Sequence, residues 1–173
     1  MGSQTALLIP VPEAEALVGI WRHEYDPSAR AGVPPHVTVL VPFLPPDEIT
    51  ESDLSELRAM FEGIEPFDFE LARVDWFGRA VLFLAPEPGE AFIDITNTIA
   101  SRFGTPPYED DFDEVVPHLT VAHATDGVEL QPIAEKLKVE LPLKARATEV
   151  FLMESVGERW LHRAEFGLGP AST

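Results

Sequence analysis

Two segments of the chain, His36-Val37-Thr38-Val39 and His118-Leu119-Thr120-Val121, carry the same alternation of polar and apolar positions. Side chains on a strand point to opposite faces in turn. Each segment therefore predicts a strand with a histidine and a threonine on one face and two aliphatic residues on the other. The aliphatic face suits a core; the polar face suits chemistry. Before the first segment, Thr5 to Val11 reads as a strand, and Pro12 opens a helix whose Ala14, Leu17, Val18 and Trp21 recur at helical spacing. Glu13 and Glu15 suit the positive end of that helix, and Arg22 and His23 its negative end.

A loop rich in Gly and Pro, from Asp26 to Pro35, leads to a strand expected over His36 to Phe43 and closed by Pro45-Pro46. Thr50 is placed as the N-cap of a helix with Leu54, Leu57, Phe61 and Ile64 on one face. Phe67 to Trp76 and Ala80 to Ala85 then predict a hairpin around Phe77-Gly78-Arg79. From here the order of elements begins again. A helix is expected over Pro88 to Phe103, with Phe92, Ile95, Ile99 and Phe103 inward and Gly104 as its stop. A strand over Val115 to His123 carries the second segment, followed by a helix over Val128 to Leu137. A last strand pair, Lys144 to Ser155 with Arg159 to Leu168, turns at Val156-Gly157-Glu158. Helix, His-x-Thr strand, helix, strand, strand thus occurs twice, with the histidines 82 positions apart. The period is too long for a solenoid and the copies too few for a propeller, which predicts one domain, 1–173, of two pseudo-symmetric lobes facing each other across a cleft. Residues 12–87 carry the first motif and residues 88–168 the second.

Composition narrows the chemistry. A chain of 173 residues with 45% apolar content can bury one sizeable core. It has no cysteine, which excludes disulfides, thiolate metal sites and cysteine nucleophiles. The first residues carry no positive region ahead of Leu7-Leu8-Ile9, and Pro10 and Pro12 interrupt the apolar run, so no leader or membrane anchor is expected and the location expected is cytoplasmic. Thirty acidic against twelve basic residues give a formal charge of -18, which keeps the chain soluble and opposes binding of long nucleic acid. Lys136, Lys138, Lys144 and Arg146, with Arg159 and Arg163, could still form a locally positive lip. Glu109, Asp110, Asp111, Asp113 and Glu114 lack the glycine-centred spacing of a calcium loop and read as a solvated loop.

Should the two motif strands meet, two imidazoles and two hydroxyls share a cleft. A histidine titrates near neutrality, so a small difference in surroundings lets one ring accept a proton while the other donates one. The threonine hydroxyls could hold the non-bridging oxygens of a phosphodiester where charge develops. Zinc would want a third protein ligand, and none accompanies the histidines at ligand spacing, so no metal is expected.

Pro35-His36-Val37-Thr38-Val39-Leu40-Val41-Pro42-Phe43 and Val116-Pro117-His118-Leu119-Thr120-Val121-Ala122, with the strand Thr5 to Val11 and the strand pair after each motif, resemble the two-histidine phosphoesterase superfamily. Its bacterial members include the RNA 2',3'-cyclic phosphodiesterases commonly labelled 2'-5' RNA ligases. The resemblance implies a bilobal, pseudo-twofold α+β fold with antiparallel sheets facing a central cleft, and no obligatory metal or other cofactor. It also implies His36 and His118 as the acid-base pair and Thr38 and Thr120 as phosphate ligands. The expected activity is opening of a 2',3'-cyclic phosphate, with 2'-5' ligation as its reverse. Given the charge, the expected partner is a small cyclic nucleotide or a short RNA end bound by a monomer, with no membrane involved. The same cleft could instead serve a nucleotide-binding module without turnover, or acid-base chemistry on a non-phosphate metabolite.

Phe43 and Tyr108 lie near the motifs and are candidates to stack on a base; Trp76 is a weaker one. Arg79 and Arg146 could reach a phosphate but suit exposed positions better. His23, His123 and His162 read as structural or surface residues.

Overall fold

The computed structural model describes residues 3–106, 115–126 and 128–170. In chain order the elements are β1 (Thr5–Pro10), α1 (Glu15–Tyr25), α2 (Pro27–Arg30), β2 (His36–Leu40), α3 (Glu51–Glu62), β3 (Phe67–Phe77), β4 (Val81–Glu87) and α4 (Glu90–Phe103). There follow β5 (Leu119–His123), α5 (Gln131–Glu140), β6 (Leu143–Ala147), β7 (Glu149–Val156) and β8 (Arg159–Gly167). The strands make two antiparallel four-stranded sheets, β2-β1-β7-β8 and β5-β4-β3-β6. Helices back them, which gives the α+β, two-lobed architecture expected.

Each sheet takes strands from both halves of the chain. The division near residue 87 is therefore a division of the sequence and not of the sheets. The crossing happens at Thr148. Lys144 to Ser155, expected as one strand, is two: β6 pairs with β3 in the second sheet, and β7 pairs with β1 in the first. The burial phase changes there, from the odd positions Ala145 and Ala147 to the even positions Val150 and Leu152. Such a switch of face within one extended segment requires a break.

Other boundaries move because of proline. The helix expected from Val128 begins at Gln131, which places Pro132 in the first turn, where its missing N–H costs no hydrogen bond. The second motif strand pairs only from Leu119, past Pro117, and the first ends at Leu40, before Pro42. The caps agree with expectation. Thr50 and Asp53 form a reciprocal capping box, and Gly104 ends α4 at φ +67°.

One core joins the two sheets. Leu7, Ile9, Val37 and Val39 of the first sheet meet Leu82, Leu84, Leu119 and Val121 of the second, with Phe61, Phe92 and Ile99 from the helices. A smaller cluster, Leu8, Val33 and Met153 with Phe151 and Trp160 against it, covers the opposite face of the first sheet. Among the described residues no helix is long and apolar enough to cross a membrane.

Candidate active site

β2 and β5 are each the edge strand of their sheet, and they pack against one another. On β2, Val37 and Val39 are buried while His36 and Thr38 are half-buried; on β5, Leu119 and Val121 are buried while Thr120 is half-buried, as is His118 just before it. The period-two pattern thus turns both histidine-threonine pairs away from the core. Each motif strand is supported by a helix from the other half of the chain. α4 lies behind β2, where the buried Thr96 Oγ1 donates to the Val39 carbonyl at 2.7 Å, and α1 packs on β5.

Both imidazoles are held in the same way. His36 Nδ1 lies 2.8 Å from the Pro34 carbonyl, and His118 Nδ1 lies 2.7 Å from the Val116 carbonyl. A carbonyl only accepts, so Nδ1 carries a proton in each ring, and Nε2 is the nitrogen available for proton transfer. Burial disfavours the imidazolium form and lowers both histidines from their ordinary value, His36 to about 4. At His36 the bond to Pro34 opposes that shift, whereas the positive charge of Arg22 adds to it; His118 is close enough to be felt as well. Neither threonine hydroxyl has a hydrogen-bond partner among the described residues, so both remain free for a ligand.

Arg22 and Asp26 behind His36 were not anticipated as site residues. Both are buried, with Arg22 Nε 3.3 Å from Asp26 Oδ2. The guanidinium also donates to the Val33 carbonyl at 3.1 Å and to Ser28 Oγ at 3.2 Å, and Asp26 Oδ1 accepts from Ser28 N and Oγ at 3.0 and 2.9 Å. From the other side, the Trp160 amide donates to the Ala31 carbonyl. The loop that carries Pro34, and so orients His36, is tied from beneath and from β8. A signal existed in the sequence: Arg22 lies four residues after Val18 on the buried stripe of α1, and Asp26 precedes Pro27 as an N-cap. His123 Nε2 lies 3.8 Å from Asp26 Oδ1 and the side chain is half-exposed, a surface role as expected.

Around His118 the rings of Phe77 and Phe83 form a wall. They stack on each other at 4.4 Å, and each meets the imidazole edge-on, at 4.8 and 5.5 Å. Phe83 sits directly opposite Thr120 on the neighbouring strand. Phe43 does not serve as the stacking residue expected of it. It is buried in the main core, edge-on to Phe103 at 5.1 Å, because the chain turns inward after β2. Tyr108 and the acidic run Glu109, Asp110, Asp111, Asp113 and Glu114 lie outside the described residues. Trp76 packs against the main core.

Of the basic residues expected as a lip, Arg159 lines a cavity together with Pro34, Arg163 donates to the Pro46 carbonyl and faces Glu154, and the four from Lys136 to Arg146 lie elsewhere. Lys144 and Arg146 are on β6, at the opposite edge of the sheet from β5, and Arg146 pairs with Asp68 at 2.8 Å. Lys138 pairs with Glu135, and Lys136 lies over the Trp21 ring. Arg79 occupies the β3–β4 turn. Among the described residues no three His, Asp or Glu side chains gather as a metal site.

Two edge strands that bring a pair of histidine-threonine motifs together from two antiparallel sheets define the two-histidine phosphoesterase class. The chain belongs to the 2'-5' RNA ligase superfamily, whose family model matches residues 10–159. A Bacillus cytotoxicus protein described as a phosphoesterase is 29% identical over 155 residues, 87% of this chain and 88% of its own length. A Bacillus cereus protein of the same description is 31% identical over 121 residues, 69% of this chain and 68% of its own. The same fold is seen in Escherichia coli LigT complexed with 3'-AMP, at 20% identity and TM-score 0.59 over 97% of this chain and 99% of that one. A Thermus thermophilus protein superposes with TM-score 0.64 at 18% identity, over 98% of this chain and all of its own.

Proposed function

We propose that the protein is a phosphodiesterase that opens the 2',3'-cyclic phosphate of a nucleotide or short RNA end, with His36 and His118 as its acid-base pair and Thr38 and Thr120 as phosphate ligands. The observation that carries this reading is the matched setting of the two rings, each with Nδ1 on a backbone carbonyl and Nε2 left for proton transfer. Membership of the superfamily and the phosphoesterase description of its Bacillus relatives support it. Escherichia coli LigT has been crystallised with 3'-AMP and with NADP+, which favours a small nucleotide as ligand here too.

In the step proposed, one imidazole Nε2 takes a proton from water as the water oxygen bonds to phosphorus. The ring P–O bond breaks, and the other imidazole gives its Nε2 proton to the departing ribose oxygen. One P–O bond forms and one breaks; one ring has gained a proton and the other has lost one, so the pair ends with its protonation states exchanged. Burial leaves both rings neutral in the free cleft, so the acid must gain its proton as substrate binds. The phosphate anion supplies the opposite charge that raises the pKa of the ring beside it. Because the rings interact, the titration belongs to the pair. With the 5'-hydroxyl of a second nucleotide in place of water as the attacking oxygen, and the 3' oxygen leaving, the same two proton transfers would join a 2'-5' linkage.

Purified protein incubated in EDTA with nucleoside 2',3'-cyclic monophosphates should yield the opened monophosphates. The His36→Ala and His118→Ala variants should remain folded and lose turnover by at least ~100-fold each. Near wild-type turnover in either variant would remove this proposal, and ligand-dependent thermal stabilisation without product would point to a binding module.

A further inference from the structure

Against Pro34, two residues before His36, a cavity of about 450 Å³ opens on the face of the first sheet that carries the smaller apolar cluster. Thr38, Leu8, Phe151 and Glu165 stand opposite one another on β2, β1, β7 and β8, and so project from one face in a row. With strands ~4.8 Å apart, Phe151 lies roughly 10 Å from Thr38, the reach of a nucleoside from its phosphate to its base. The cavity is lined by Phe151 and Trp160, with Gly32 and Pro34 from the loop before β2 and Arg159, His162 and Glu165 from β8. Pro34 is also the residue whose carbonyl holds His36. Across the cleft, Phe77 and Phe83 are stacked on each other and against His118, which leaves them as a wall, and Arg73 is paired with Asp75 and Glu87.

We propose that this pocket binds the base of the substrate, with Trp160 and Phe151 supplying the stacking surface and Glu165 selecting bases that carry an amino group. The proposal rests on the phosphodiesterase reading above. A carboxylate only accepts hydrogen bonds, so it favours the exocyclic amino groups of adenine, cytosine and guanine and disfavours uracil, whose corresponding edge presents a carbonyl oxygen. His162 Nε2 lies 3.8 Å from Glu165 Oε2, the His162 ring is edge-on to Phe151 at 4.6 Å, and the Glu149 carboxyl lies beside Glu165; burial and that neighbouring carboxylate raise the pKa of Glu149.

The test compares the four nucleoside 2',3'-cyclic monophosphates with a base-less control, methyl ribofuranoside 2',3'-cyclic phosphate. The wild-type protein should show higher kcat/KM for the adenosine, cytidine and guanosine substrates than for uridine. Trp160→Ala should raise KM for the nucleoside substrates about 5- to 100-fold, with kcat kept and the base-less control unaffected. Trp160→Phe should restore most of the loss, and the exposed Glu165→Gln change should narrow the discrimination against uridine. Unchanged KM in Trp160→Ala would overturn the stacking role. Equal use of uridine by the wild-type protein would overturn the selection by Glu165. If neither nucleotide nor base-less substrate is opened, the catalytic reading fails instead. The pocket is then judged by titrating 3'-AMP into the wild-type protein: quenching of tryptophan fluorescence that disappears in Trp160→Phe upholds it, and its absence overturns it.

Discussion

Replacing Asp26 with alanine should destabilise the protein far more than any surface change of similar chemistry. Its carboxylate faces Arg22 Nε at 3.3 Å, and both side chains are only 3% exposed, so the guanidinium would be left charged and unpaired inside the fold. Burial already pushes Arg22 below its ordinary pKa, and Asp26 is the main group opposing that shift. Breaking a buried pair from one side costs about 3–5 kcal/mol. For a chain of this length that corresponds to a fall in Tm of roughly 6–20 °C. Activity should fall too at temperatures where the variant is folded, because the 26–35 loop loses the bonds that Ser28 N and Oγ donate to Asp26, and Arg22, which donates to the Val33 carbonyl just before Pro34, loses the partner that positions it. Thermal melts followed by circular dichroism, with Asp68→Ala in the exposed Arg146 pair as control, would measure the first effect; the control should leave Tm almost unchanged. The double variant Arg22→Met/Asp26→Leu should recover most of the stability, since apolar replacements fill the space with no charge left to solvate. A Tm for Asp26→Ala within ~3 °C of wild type, or a double variant no better than the single one, would refute the reasoning.

Stability should also depend on pH through His36. Its folded value of about 4 lies below its ordinary one, so the unfolded chain binds the proton more readily. The contribution is present above about pH 6.5 and is lost as pH falls toward 4, by up to ~3 kcal/mol, with His118 acting in the same direction. Urea unfolding at pH 7.5 and 4.5 should show a smaller difference in His36→Gln than in the wild-type protein; identical differences would contradict the assignment. Thr96→Val removes a buried hydroxyl that donates to the Val39 carbonyl of β2 and should cost about 1–3 kcal/mol by equilibrium denaturation, with a further loss of activity because that strand carries His36 and Thr38.

The sequence by itself determined the local order of this protein. The period of two in each motif decided which residues face the core, and the helical stripes, the Thr50-Asp53 box and Gly104 marked where helices run and stop. Those are properties of neighbours along the chain, governed by backbone geometry and short-range hydrogen bonds. Even the break at Thr148 is legible as a change of phase from Ala145 and Ala147 to Val150 and Leu152. Only the tertiary structure decided which strands share a sheet, and hence that each sheet draws on both halves of the chain and leaves a motif strand at its edge. It also decided that Phe43 belongs to the core, that Arg22 and Asp26 are buried behind His36, and that Phe77 and Phe83 wall His118. Pairing between distant strands depends on the shape and burial of the whole molecule, and no local pattern encodes a partner dozens of residues away.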